Sequence, residues 1–293
     1  MRKKIVIVGA GKVGSALAVL LHEKGYQLVG IASRSRESAD KAAKRLTPVP
    51  ETNVVPQELT RKADVVFITT NDDAIQKVCT AVAKGGGFRK GQVVLHVSGS
   101  LPSSVLEAAR AKGCFIGSMH PLQSFADVDM AIQRLHGAYF CLEGMKEATE
   151  EAQELALAMG GRIMTIKTGD KPIYHAAAVI ASNFFVSIID MSLRFYEAIG
   201  IDRKKGLEAL MPLIEGSLAN IRMLGPVKAL TGPIARGDAK VIERHLEAIG
   251  TALPDLLPIY EALVRLNVDV GLRKGTLTPQ SAKAILSNID HAT

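Results

Sequence analysis

Lys4-Ile5-Val6-Ile7-Val8-Gly9-Ala10-Gly11-Lys12-Val13-Gly14 is the stretch that decides how the first half of this chain is read. An apolar run, Lys4–Val8, has the length and β-branched content of a buried strand. The glycines follow it directly, and a helix is expected from Lys12. The first glycine permits a tight turn. The second lets backbone approach a pyrophosphate, and the third lets helix close on strand. The helix start adds amide donors and the positive end of its dipole. Gly9, Gly11, Lys12, Val13 and Gly14 are therefore expected to hold a dinucleotide. The basic start Met1-Arg2-Lys3-Lys4 before an apolar run resembles a secretory leader. The interrupting glycines favour strand and helix instead. No stretch is expected to reach the ~20 apolar residues of a membrane span.

Outward from this turn, short apolar runs alternate with amphipathic segments. Strands are expected at Lys4–Val8, Gln27–Ala32, Val65–Thr69, Val93–Val97, Phe115–Met119, Tyr139–Leu142 and Arg162–Thr168, with helices such as Lys12–Lys24 and Ser35–Leu46 between them. Strands spaced by helices predict βαβ units and a mostly parallel, doubly wound α/β sheet of the Rossmann type. After Thr168 strand signals stop. Helical patterns follow at Pro172–Ile199, Arg203–Leu224, Ala239–Ile249 and Pro254–Lys274, then from Pro279. Two domains are expected: 1–168, binding the cofactor, and 169–293, all-helical. Asp170 is placed to cap the first long helix. That helix is nearly apolar from Ile173 to Ile189 and is expected to be buried, centrally or against a second subunit.

The end of the second strand indicates which dinucleotide. An acid there bonds the ribose 2′-hydroxyl of NAD. Here Ser33-Arg34-Ser35-Arg36 stands instead, and no acid occurs before Glu37. Ser33, Arg34 and Ser35 suit a 2′-phosphate, because a guanidinium pairs with phosphate through a planar fork. NADP(H) is the expected cofactor. Thr69, Thr70 and Asn71 end the third strand at the edge where open sheets bind ligands. Asp72 and Asp73 read first as helix caps. Two further strand ends carry polar groups: His96-Val97-Ser98-Gly99-Ser100, and Ser118-Met119-His120-Pro121. Histidines at successive strand ends suggest proton donors or oxyanion partners.

Composition removes several classes. The 293 residues are 47% hydrophobic and 22% charged, as in an ordinary globular protein. The net charge is +7, but the charges are dispersed and aromatics are 4%, so no nucleic-acid partner is expected. Cys79, Cys114 and Cys141 form no C-x-x-C pair and read as reduced thiols of a cytoplasmic protein. No metal and no membrane partner are expected.

The glycine turn, His96-Val97-Ser98-Gly99-Ser100, Met119-His120-Pro121-Leu122, Tyr174-His175-Ala176-Ala177-Ala178 with Ala181-Ser182-Asn183, and Leu230-Thr231-Gly232-Pro233-Ile234-Ala235-Arg236-Gly237-Asp238 together resemble a family. It is that of the Rossmann-like oxidoreductases carrying the C-terminal domain of unknown function 2520. The resemblance covers nearly the whole chain. It implies the architecture of the 6-phosphogluconate dehydrogenase superfamily, whose members include β-hydroxyacid dehydrogenases, ketopantoate reductase and pyrroline-5-carboxylate reductase. The implied function is NADP-dependent hydride transfer with a small polar substrate, first a 2-oxo acid and its hydroxy acid. An imine reductase and a non-catalytic NADP-binding redox sensor are the alternatives. A homodimer is the expected assembly. The relatives place an acid/base lysine and an asparagine on the first long helix of the second domain. Here Asn183 matches the asparagine, and His175 falls at the lysine position of ketopantoate reductase. His175 and Ser182 differ by only ~20° around an ideal helix, and Lys171 lies one turn before His175. The expected catalytic set is His175, His120, Ser98 and Asn183. Arg236 is a candidate for a substrate carboxylate or a partner subunit, and Asp238 for a helix cap.

Overall fold

The computed structural model describes residues 3–290; Met1 and Arg2 of the basic start lie outside them. Eight strands form one sheet in the order β3-β2-β1-β4-β5-β6-β7-β8. They are β1 Lys4–Val8, β2 Gln27–Ala32, β3 Glu51–Asn53, β4 Val65–Ile68, β5 Val93–His96, β6 Phe115–Pro121, β7 Tyr139–Gly144 and β8 Arg162–Thr165. The first six run in the doubly wound order whose reversal lies between β1 and β4. All pairs are parallel except β6 with β7. The α/β class is thus as expected. Only β3 was not foreseen: three polar residues at a sheet edge carry no apolar signal.

Helices α1 Lys12–Glu23, α2 Arg36–Ala43, α3 Pro56–Thr60, α4 Asp72–Lys84, α5 Glu107–Arg110, α6 Val128–Leu135 and α7 Lys146–Ala158 cover the sheet. Two buried clusters result. Ile5, Ile7, Leu17, Phe67, Leu95 and Phe140 lie in one. Val6, Val8, Ile68, Val94, Ile75 and Cys79 lie in the other. Alternate residues of β1 enter opposite clusters, so both faces of that strand are buried, as a parallel sheet requires. Cys79, Cys114 and Cys141 are buried and unpaired. Burial pushes the Cys79 and Cys114 thiols up to about 11.

The chain divides into two compact units, one ending at Asn183 and one beginning at Phe184. The change of composition at 168/169 comes earlier. Helix α8, Lys171–Val179, therefore belongs with the sheet, because Lys171 is sunk into it. Asp170 holds the N-cap position of α8 but makes no side-chain capping bond.

The expected continuous helix Pro172–Ile199 is interrupted. A π-helical turn, Ile180–Phe184, separates α8 from α9, Phe185–Ala198. Five residues in a wider turn shift the phase of everything beyond it, so the ideal-helix alignment of His175 with Ser182 does not hold. Nor is the helix buried. Within Thr168–Ala198 the most apolar 18-residue window has mean hydropathy 1.7, and only 11% of it is buried within this chain. By length and composition this stretch could cross a membrane, which corrects the expectation that none would. The second unit continues with α10 Arg203–Leu224, α11 Pro226–Ala229, α12 Pro233–Arg236, α13 Ala239–Ala252, α14 Leu257–Lys274 and α15 Pro279–Asp290. Ile242, Leu246, Val264, Val268 and Ile285 form its core. The sharp turn between α12 and α13 is closed by Gly237 in the left-handed region.

Candidate functional site

The carboxyl ends of β1, β2 and β4 surround a cleft of about 590 Å³. Gly9, Gly11, Ser33, Arg34, Ser35, Thr69, Thr70 and Asn71 line it. Lys12, Val13 and Gly14 do not line it and belong to the start of α1. Gly9 has φ +120°, and a Cβ there would lie 2.7 Å from the Thr69 carbonyl carbon. The turn is built so closely that only glycine fits it. Thr69 donates its hydroxyl to the Gly9 carbonyl at 2.6 Å, tying the end of β4 to the turn. A Cβ on buried Gly14 would overlap the Gly9 carbonyl oxygen and Thr69 Oγ1, so this glycine lets helix meet strand. Gly11 has nothing within 4 Å of its would-be Cβ, which leaves its backbone open to the cleft.

At the β2 end no carboxylate lines the cleft. Arg36 turns away to Asp40, at 3.3 Å. Ser35 caps α2 through Ser38 N. Arg34 makes no ion pair among the described residues and is exposed. Thr70 Oγ1 is buried without a hydrogen-bond partner. An unsatisfied hydroxyl on the wall of an apolar-rich cleft is a group a polar ligand would satisfy. A glycine cradle, a free guanidinium and this hydroxyl fit a phosphorylated dinucleotide.

A second cluster begins at the next residue. Asp72 is the first residue of α4, but its carboxylate does not cap that helix. It accepts from Ser98 Oγ at 2.8 Å and from Ser100 Oγ at 2.7 Å, and so fixes the turn after β5. Ser98 Oγ also accepts from the backbone of Ser100 and Leu101. The Ser98 hydroxyl is thereby committed within its own turn. His96 accepts from Ser98 N through Nδ1 and is fully buried. Burial, with the nearby charge of Lys171, pulls it down to about 3, so the ring is neutral.

Lys171 is what the sequence did not announce as a site residue. Its side chain is wholly buried. Nζ donates to the Ser98 carbonyl and to Ser118 Oγ, each at 2.7 Å. Burial lowers its pKa, while Glu143, Cys141 and Asp72 favour its charge. Glu143 is itself held by Ser103 N, Ser103 Oγ and Thr168 Oγ1. The signal was its place one turn before His175 on a helix start. Nothing local reveals that this start is inserted into the sheet.

His120, at the end of β6, meets α8 above this cation. Its Nδ1 lies 2.8 Å from Tyr174 Oη. The His175 ring stands edge-on to it, with centroids 6.3 Å apart. Burial, then the charges of Lys171 and His175, hold His120 down at about 4. Both rings close on Gly99, whose missing Cβ would lie 2.7 Å from His175 Cδ2 and 2.8 Å from His120 Nε2. His120, His175 and Ser98 are thus brought together, with Tyr174 and Lys171. Asn183 lies in the π-helical turn and is exposed in this chain. In the second unit, Arg236 is turned onto Asp238 at 3.0 Å, and Asp238 forms no side-chain cap.

Residues 1–121 match a Rossmann-like domain, and residues 138–266 match a domain of unknown function, DUF2520. A protein of Thermotoga maritima superposes with TM-score 0.73 at 27% identity, over 92% of this chain and 99% of its own. A candidate NADP oxidoreductase from Bacteroides fragilis does so with TM-score 0.72 at 24% identity, over 92% and 98%. An imine reductase variant from Myxococcus stipitatus, in complex with NAD+, gives TM-score 0.63 at 17% identity over 99% of each chain. Among curated proteins, glutamyl-tRNA reductase of Halalkalibacterium halodurans is 26% identical over 133 residues, which are 45% of this chain and 29% of that protein. The match thus spans less than a third of that relative. With both halves accounted for, this chain is a Rossmann-like protein carrying the DUF2520 domain.

Proposed function

We propose that this protein is an NADP(H)-dependent oxidoreductase acting on a small polar substrate, first a 2-oxo acid and its hydroxy acid. One observation carries the reading. Asn71 lines the dinucleotide cleft, and the adjacent Asp72 holds the Ser98–Ser100 turn against which His120 and His175 pack. Cofactor cleft and polar cluster are thus one continuous structure. When bound, the nicotinamide supplies or takes up a hydride. The protein's own part is to bind, orient and polarise. The glycine turn receives the pyrophosphate through backbone amides. Arg34, with Ser33 and Ser35, receives the 2′-phosphate. His120 and His175 face the substrate. The likeness in fold to a candidate NADP oxidoreductase and to imine reductases supports an oxidoreductase. The exposed apolar side chains of α9 and α10, among them Val186, Leu213 and Met223, support a homodimer in which a second copy covers them.

Calorimetry tests the cofactor. NADPH should bind at least tenfold more tightly than NADH, since a charge-assisted hydrogen bond is worth ~1.5–3 kcal/mol. Arg34→Ala should erase that preference. Equal affinities in the native protein would overturn the NADP reading. If NADPH binds but is not oxidised with any member of a 2-oxo acid and cyclic imine panel, the protein is a cofactor-binding sensor instead.

A further inference from the structure

The hydrogen bond between Tyr174 and His120 fixes more than a ring position. Three neighbours decide where its proton lies. The Tyr174 phenol is half-buried, which raises its pKa, so it keeps its proton. Tyr174 Oη contacts two acceptor candidates, His120 Nδ1 and the buried thiol of Cys141. The thiol is also held protonated by burial, and a thiol sulfur is a weak acceptor. An imidazole nitrogen is the stronger one. The phenol therefore donates to Nδ1, and a neutral imidazole that accepts at Nδ1 carries its hydrogen on Nε2. Nε2 has no hydrogen-bond partner among the described residues, and it packs on Gly99, where a Cβ would lie 2.8 Å from it.

We propose that Tyr174 is a positioning residue that fixes His120 as its Nε2–H form, so that the site offers a neutral donor to an uncharged carbonyl oxygen and selects against a protonated imine. The proposal rests on the oxidoreductase reading and narrows its substrate class. A carbonyl oxygen accepts from N–H. An iminium nitrogen has no lone pair and presents hydrogens of its own, so against Nε2–H it leaves two donors facing each other, which is the arrangement that specificity by rejection uses. The charges around the ring act in the same direction. Lys171 and His175 both disfavour a positive charge at His120, and the His175 ring stands 6.3 Å from it. Asp72, the carboxylate whose charge acts on His120, is turned to the Ser98 and Ser100 hydroxyls.

Two measurements on the intact protein test this. The first is nitrogen NMR of the histidine-labelled protein near neutral pH without ligand. His120 should show a protonated Nε2 and an unprotonated Nδ1, and Tyr174→Phe should convert this to a mixture of the two neutral forms. A charged ring, or hydrogen on Nδ1, overturns the proposal whatever the protein does with NADPH. The second is NADPH oxidation with matched 2-oxo acids and cyclic imines. The carbonyl compounds should be turned over at least tenfold faster. Tyr174→Phe should lower kcat about tenfold on them with little change in the affinity for NADPH. His120→Gln, which retains a neutral N–H donor, should keep at least tenfold more activity than His120→Ala. Faster reduction of imines overturns the inference but leaves the oxidoreductase reading standing. Failure to bind NADPH removes both, and NMR showing His120 as Nε2–H would then locate the fault in the cofactor reading.

Discussion

The two ends of one sheet edge are built on opposite principles. At β1, β2 and β4 the cleft is made largely of backbone and small residues, and three groups are left unspent: Arg34 without an ion pair among the described residues, Thr70 Oγ1 unsatisfied, Gly11 open. At β5, β6 and α8 a chain of polar groups is already engaged, from Asp72 through Ser98 and Lys171 to Glu143, and the Nε2 atoms of His96 and His120 are the exceptions. A site that receives a large anionic ligand keeps its donors in reserve. A site that must hold two imidazoles in fixed relation to a small substrate spends its hydrogen bonds on rigidity. The first can lose a side chain and remain folded. The second is part of the domain's structural integrity.

That difference is open to direct test, and Lys171 is its sharpest point. Lys171→Met would leave the Ser98 carbonyl and Ser118 hydroxyl without their donor and the Glu143 region without its cation. Urea unfolding followed by circular dichroism should show a loss of about 2–4 kcal/mol. Arg34→Ala at the other end should stay within ~0.5 kcal/mol of the native protein. Similar losses at both positions would erase the contrast.

Within the cleft itself the glycines separate in the same way. Gly14→Ala forces a methyl into the Gly9 carbonyl and Thr69 hydroxyl, and should cost roughly 1–3 kcal/mol of stability. Gly11 has an ordinary backbone and open space, so Gly11→Ala should melt with the native protein yet bind NADPH more weakly. A stable Gly14→Ala would show that the helix can move off the strand.

The contrast extends to acid stability. His96 is neutral in the fold down to about pH 3, whereas in the unfolded chain it protonates near its ordinary value of about 6.5. Between those values the unfolded chain binds the extra proton, so stability falls as pH drops through that window, by up to ~1.4 kcal/mol per pH unit. Above about pH 6.5 the group contributes no slope. His96→Phe should flatten the acid limb, whatever it does to absolute stability. An unchanged slope would mean that His96 is protonated in the fold.

The cleft was legible because its information is local. Gly9, Gly11 and Gly14 lie within one turn, and Ser33-Arg34-Ser35 stands at a strand end whose position the apolar pattern gives. The histidine cluster was legible only in part. His120 and Ser98 could be placed at strand ends, and His175 on a helix. The partners that define their chemistry come from far along the chain: Asp72 from α4, Cys141 and Glu143 from β7, Lys171 and Tyr174 from α8. Asp72 read as a helix cap because short acidic residues at a helix start usually are caps. Lys171 stands one turn before His175, but its place at the very start of its helix left it out of the expected catalytic set. Periodicity also gave no warning of the π-helical turn at Ile180–Phe184, since a run that is apolar all round has no phase to lose.

The three thiols described above give the molecule an internal clock. Cys79 lies on α4, Cys114 just before β6, and Cys141 in β7 beneath Tyr174. Because burial keeps them protonated and covered, an alkylating reagent reaches each one only when its neighbourhood opens. Their separate labelling rates would rank the stretches of this sheet by how often they breathe. Cys141, on β7 beside Tyr174, would report whether a ligand seated there quiets α8.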